Sequence, residues 1–195
     1  MPLIFATNNP HKIAEIEAQL GDAYDFLSLA AIGCTEEIPE TTGTIPGNAR
    51  QKARYVFDKY GYDCFSEDTG LEVDALDGAP GVDTAHYAGL ERSAEANNRK
   101  LLSELAAAGP DAPRTARFRT VIHLIIDGEE HTFEGICPGT IATEPTGTGG
   151  FGYDPVFRPA EGDGRSFAEM TGAEKRALSH RGRAVAKLVS YLRQL

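Results

Sequence analysis

A fold of strands interleaved with helices is what this sequence predicts, on three observations. Near the N-terminus a short apolar run, Leu3 to Ala6, breaks into Thr7-Asn8-Asn9-Pro10, after which Ile13, Ile16 and Leu20 recur at helical spacing. Further along, three more segments carry apolar stripes of the same helical period, around Ala49 to Tyr60, Leu101 to Leu105 and Ala184 to Leu192. Between the second and third of these, Asp127-Gly128 separates two apolar segments long enough to be strands, a strong hairpin signal.

Each element follows from its residues. Asn9 suits the cap of the first helix and Pro10 its first position, so the backbone N–H groups there, with Lys12 in the first turn, make a candidate phosphate seat. A lysine opposes the helix dipole at that end unless an anion is also present. Gly21 is the expected stop. Phe26 to Leu29 reads as a second strand, and Gly33 to Gly47 as a polar loop carrying Glu36, Glu37 and Glu40, of a length that often serves function. Asn48 is the expected cap of the next helix, whose buried stripe is Ala49, Ala53, Val56, Phe57 and Tyr60, with Arg50 and Lys52 off it.

Cys64-Phe65-Ser66 reads as the end of a short buried strand that gives way to a turn at Glu67-Asp68-Thr69-Gly70. Two acids at that point would leave the sheet where a metal or a general base is wanted, although the tetrapeptide alone is also an ordinary polar turn. Leu71, Val73 and Ala75 alternate with Glu72 and Asp74, a half-buried strand whose acids face water. Ser93 starts a third helix, ended by Gly109-Pro110. Arg117 to Ile126 and His131 to Ile136 are the strands flanking Asp127-Gly128, and His123 and His131 on them read as structural. A glycine-rich stretch, Glu144 to Asp154, follows. Thr171 and Glu174 form a capping box for a short helix, and Ser179 caps the last one, buried through Ala184, Val185, Leu188, Val189 and Leu192.

Composition limits what such a chain can do. Its 195 residues, 41% hydrophobic and 25% charged, are ordinary for a globular protein with a sizeable core. With 19 basic and 29 acidic residues the formal charge is −10, which disfavours nucleic-acid polymers and anionic membranes as partners. Cys34, Cys64 and Cys137 are odd in number and form no C-x-x-C, which argues against a disulfide framework or zinc and suits a reducing cytoplasm. There is no apolar run of membrane-spanning length and no basic-flanked leader. No linker divides the chain, so residues 1–195 read as a single domain.

Gly147-Thr148-Gly149-Gly150-Phe151-Gly152 satisfies the dinucleotide pattern G-x-G-x-x-G, but Tyr153-Asp154-Pro155 follows it, and the residue before a proline disfavours the helix that the fingerprint must open. A Walker phosphate loop is absent from the sequence. A nucleotide, if bound, is therefore held by scattered elements.

Those elements form a combination with a known parallel. Thr7 to Lys12, Ser66 to Leu71, Gly78-Ala79-Pro80-Gly81, Gly147 to Pro155 and Ser179-His180-Arg181-Gly182 together resemble, in order and across nearly the whole chain, the inosine triphosphate pyrophosphatase family. The resemblance implies an α/β fold with a long central mixed sheet flanked by helices, two lobes around an active-site cleft, a homodimer and dependence on Mg²⁺. It implies hydrolysis of ITP, dITP and XTP to the monophosphate and pyrophosphate, removing non-standard purines from the nucleotide pool. By position it makes Asp68 the catalytic acid/base and Glu40 and Asp68 the metal carboxylates, with Glu67 a third candidate. Thr7, Asn8, Asn9, Pro10, His11, Lys12 and Lys52 would hold phosphates, and Thr69 would lie beside the substrate. Phe151, Gly152, Tyr153, Asp154, Lys175, His180 and Arg181 would recognise the base. Two departures stand out: Glu67 where many relatives have Asp, and His86 where Arg is frequent.

The chemistry is consistent with the residues themselves. Mg²⁺ takes few carboxylates plus substrate phosphates and waters, so two acids suffice. Lysines near the leaving pyrophosphate would stabilise its charge, and Asp68 could deprotonate an attacking water. Another Mg²⁺-dependent nucleotide phosphatase and a non-enzymatic nucleotide-sensing module are the alternatives. Carboxylates set among lysines favour catalysis, since a sensor needs no base.

Overall fold

The computed structural model describes residues 2–20 and 26–195. Seven strands form one sheet: β1 (Leu3–Phe5), β2 (Phe26–Ser28), β3 (Cys64–Val73), β4 (Pro80–Gly81), β5 (Thr115–Ile126), β6 (Glu129–Ile141) and β7 (Phe157–Pro159). Their order is β2-β1-β3-β5-β6-β7, with β4 added on β3. The sheet is mixed, because β1 runs parallel to β2 and β3 while β3–β4 and β6–β7 are antiparallel. Among the described residues five α-helices accompany it: α1 (Pro10–Leu20), α2 (Ile45–Tyr60), α3 (Ala94–Ala107), α4 (Gly172–Leu178) and α5 (His180–Leu192). This is the α/β class that the sequence predicts. No helix among the described residues is long and apolar enough to cross a membrane.

The chain forms two compact units. The first comprises Met1–Asp68, Thr120–Gly135 and Ala184–Leu195. In its core the parallel register sets Phe5 beside Phe65, and their rings stack at 4.5 Å with Phe26 edge-on to both. Aromatic pairs of this kind add about 0.5–1.5 kcal/mol each beyond the area they bury. Ile16 and Leu20 of α1 and Ala184, Val185, Leu188 and Leu192 of α5 complete this cluster, as the helical period predicts. The predicted stop at Gly21 lies outside the described residues. Asp127 and Gly128 both have positive φ, 49° and 80°, which a type I′ hairpin turn requires. His123 and His131 are structural: His123 bonds Thr132 and Glu130, and His131 bonds the Tyr191 hydroxyl.

The second unit comprises Thr69–Arg119 and Ile136–Arg183. Leu71 and Val73 of β3, Leu101 and Leu105 of α3, and Phe118, Phe157 and Phe167 fill its core. Ser93 caps α3 by accepting from the Ala96 N–H, and Thr171 with Glu174 closes the predicted capping box on α4. Glu72 is less solvated than its alternation predicts, since it pairs with Arg117 and Arg119.

Three local expectations are corrected. β3 is one ten-residue strand that continues through Glu67-Asp68-Thr69-Gly70, where composition predicts a turn. Lysines distant in sequence pair with both acids, so the strand can carry them without stranding charge. The cap of α2 is Thr44, not Asn48: Thr44 accepts from the Gly47 N–H, and the Asn48 side chain instead accepts from Thr42. β6 runs past Pro138 to Ile141 instead of ending at Ile136.

Candidate active site

In the first unit, α1 begins with the predicted cap. Asn9 Oδ1 accepts from the His11 and Lys12 N–H groups at 3.0 and 3.3 Å, and Thr7 Oγ1 accepts from the Asn9 N–H. The Ile13 N–H is bonded to the Asn9 carbonyl and Pro10 has none. The helix-start amides are thus occupied by the cap itself, which corrects the expectation of a seat built on free N–H groups; what this segment offers a phosphate is side chains. The anion that Lys12 requires against the dipole is the Glu67 carboxylate, 2.7 Å away.

Lys52 does not point into water. It projects from α2 among carboxylates, pairing with Glu40 and, at 3.3 Å, with Asp68. Lys52, Glu67 and Asp68 are all buried. Burial opposes the charge of Lys52, but the Asp68, Glu40 and Glu67 carboxylates outweigh it and hold the pKa above its ordinary value. Burial pushes the Asp68 carboxyl up, against the Lys52 and Lys12 ammoniums, and the Glu40 carboxylate adds to the rise. A carboxylate shifted this way is a stronger base than a solvated one.

Glu40 and Asp68 both reach one cationic atom, Lys52 Nζ, so the two carboxylates converge on a position suited to positive charge. Their hard oxygen donors suit Mg²⁺. Among the described residues no group of three or more His, Cys, Asp or Glu is arranged to cage a metal. An ion held by this pair would take its remaining ligands from phosphates and water, as Mg²⁺ does.

In the second unit, Phe151 to Asp154 form an irregular segment without the helix of a dinucleotide fingerprint. Asp154 Oδ2 accepts from the Phe151 N–H at 2.9 Å and from Lys175 Nζ at 2.6 Å. Lys175 and Arg181 lie 4.8 and 5.5 Å from the Phe151 ring centroid, in cation–π range. Arg181 also reaches Thr69 Oγ1 at 3.5 Å, and the His180 ring stacks on Phe118 at 4.4 Å. Tyr153 is buried, its hydroxyl donating to the Thr84 carbonyl. Asp154, Lys175, His180 and Arg181 are each buried, so this cluster holds cations and an acid away from bulk water. His86, at the end of a short 3₁₀ turn, is half-buried.

One contributor to this segment escapes the sequence pattern. Asn98 of α3 is buried and its Nδ2 donates to the Gly152 carbonyl at 3.0 Å. The available signal was Asn97-Asn98 within a helix, two poor helix formers where propensity gives no reason for them. The glycines of the segment differ in what they tolerate. Gly150 has φ 68° and a Cβ there would overlap the Asp154 carboxylate, whereas Gly152, at φ 61°, has open space. Gly152→Ala is therefore expected to cost about 1–2 kcal/mol for left-handed backbone, and Gly150→Ala more. Urea unfolding of the two variants checks this; equal losses would contradict the placement of Asp154.

The comparisons with known proteins agree over the length of the chain. The profile of the Ham1 family matches residues 3–191. A dITP/XTP pyrophosphatase of Porphyromonas gingivalis is 55% identical over 190 residues, 97% of this chain and 96% of its own. That of Bacillus subtilis is 45% identical over 191 residues, again 97% and 96% of the two chains. Among solved structures, a HAM1 protein from Coxiella burnetii superposes with a TM-score of 0.91 at 35% identity, covering 100% of both chains. A nucleoside-triphosphatase / dITP/XTP pyrophosphatase from Mycobacterium abscessus superposes at 0.78 with 41% identity, over 96% of this chain and 98% of that one.

Proposed function

This chain belongs to the Ham1 family, and from that premise we propose that it is a hydrolase that converts ITP, dITP and XTP to their monophosphates and pyrophosphate. Residues 1–195 act as one catalytic domain in this reading. The single observation that carries it is the buried set of Glu67, Asp68 and Lys52, to which the half-buried Lys12 and the exposed Glu40 are paired, in a chain similar over nearly its whole length to dITP/XTP pyrophosphatases.

Lys12 and Lys52 bind the triphosphate, exchanging carboxylate partners for phosphate oxygens. Asp68 accepts, at a carboxylate oxygen, a proton of the water that attacks the α-phosphorus. The new bond is P–O from that water; the bond that breaks joins the α-phosphorus to the α–β bridging oxygen, and pyrophosphate leaves with the electron pair. Glu40 and Asp68 would hold Mg²⁺, which would supply positive charge opposite the departing pyrophosphate. Phe151, Gly152, Tyr153, Asp154, Lys175, His180 and Arg181 serve the purine, and Thr69 lies beside the substrate through its contact with Arg181.

A homodimer working in the cytoplasm completes the reading. Three buried, unbridged cysteines support the reducing compartment; the dimer rests on the family resemblance alone. Incubation of the purified protein with ITP is the test. Pyrophosphate release is expected with Mg²⁺, lost on chelation and restored by added Mg²⁺. Orthophosphate as the released anion would favour a different nucleotide phosphatase.

A further inference from the structure

Glu40 lies in a segment without regular structure that leads to Thr44, the cap of α2. Three residues of α2 hold three consecutive residues of that segment in reverse register. Asn48 Oδ1 accepts from the Thr42 N–H and hydroxyl at 3.1 and 2.9 Å. Gln51 Oε1 accepts from the Thr41 N–H at 2.8 Å, and Gln51 Nε2 donates to Thr41 Oγ1 at 2.9 Å. Lys52 donates to Glu40 itself. Positions 48, 51 and 52 are spaced i, i+3 and i+4, so one face of the helix makes all three ties. The start of the segment is fixed separately, Glu36 accepting from Tyr55, Lys59 and Tyr60.

These ties are not equivalent. Lys52 also contacts Asp68 and in the proposed function is the cation that a triphosphate would draw away, so its hold on Glu40 would then be lost. Gln51 is neutral, uses both ends of its amide, and places both bonds on the residue next to Glu40. We propose that Gln51 is a positioning residue that keeps the Glu40 carboxylate in place for the metal once Lys52 has turned to phosphate. The proposal rests on the reading of Glu40 as a metal carboxylate.

The test compares Gln51→Ala, Gln51→Glu and Glu40→Gln. Alanine is the best helix former, so α2 persists in the first. In the second, a carboxylate can still accept from the Thr41 N–H and hydroxyl. Mg²⁺ binding is read by calorimetry with a non-hydrolysable ITP analogue present, and hydrogen exchange of residues 38–42 is read without nucleotide or metal. For Gln51→Ala the expected result is Mg²⁺ binding about five- to a hundredfold weaker, the range that two ordinary hydrogen bonds span. Faster exchange at the Thr41 amide and a smaller change in kcat at saturating metal should accompany it. Gln51→Glu should restore both binding and protection. Wild-type Mg²⁺ affinity and Thr41 protection in Gln51→Ala, or failure of Gln51→Glu to restore them, with Glu40→Gln weakened, would overturn the role of Gln51. Wild-type Mg²⁺ affinity in Glu40→Gln would instead remove the reading of Glu40 on which the role depends.

Discussion

Asp68→Asn should lower kcat for ITP by about a hundredfold or more, the usual loss when a general base is removed. The replacement keeps the shape of the side chain, and Lys52 keeps Glu40 as a partner, so the surrounding pairs survive. What disappears is a buried carboxylate in the proposed place beside the attacking water. Nucleotide binding should persist, which separates loss of the base from loss of the site. Steady-state kinetics with calorimetric binding of ITP makes the distinction, and near-wild-type turnover in the variant would end the assignment.

The second large effect concerns the base. ITP and XTP should be turned over faster than ATP by a factor on the order of 10⁴, the discrimination available when a mismatch strands buried hydrogen-bonding groups. Hypoxanthine and xanthine present a 6-oxo acceptor where adenine presents an amino donor. Arg181 has only donors to offer and is buried beside Phe151 and Thr69. Against adenine its guanidinium would face a donor, and burial leaves little water to relieve the conflict. Guanine shares the 6-oxo group, so its exclusion must act on the 2-amino group. In the proposed pocket Phe151, with Lys175 and Arg181 at its ring, would contribute affinity more than choice. Arg181→Ala is expected to lose most of the preference for ITP over ATP. Comparable kcat/KM for the two nucleotides in the unmodified protein would contradict this account of the purine pocket.

How far the sequence carries depends on how local each signal is. Asn9, Ser93 and Thr171 could be read as caps because each bonds an amide within three residues of itself. Asn48 has the right chemistry for a cap, but its partner is Thr42, upstream of the helix, so the local rule points four residues too late. The strand through Glu67 and Asp68 is hidden for a similar reason. Their pairing with Lys12 and Lys52 is a tertiary fact, and without it two acids and a glycine read as a turn. Lys52 illustrates the limit of amphipathic patterning: it falls off the apolar stripe of α2, yet it is buried because carboxylates surround it. Gln51 and Asn98 carry no motif at all, and only their partners, Thr41 and Gly152, reveal what they hold.

The bond that is cleaved tests the central claim most directly. Hydrolysis of ITP in ¹⁸O-labelled water, with Mg²⁺ present, should place one label in the monophosphate and none in the pyrophosphate, because the water attacks the α-phosphorus and pyrophosphate leaves whole. Label confined to a released phosphate or pyrophosphate product, with none in IMP, would contradict it.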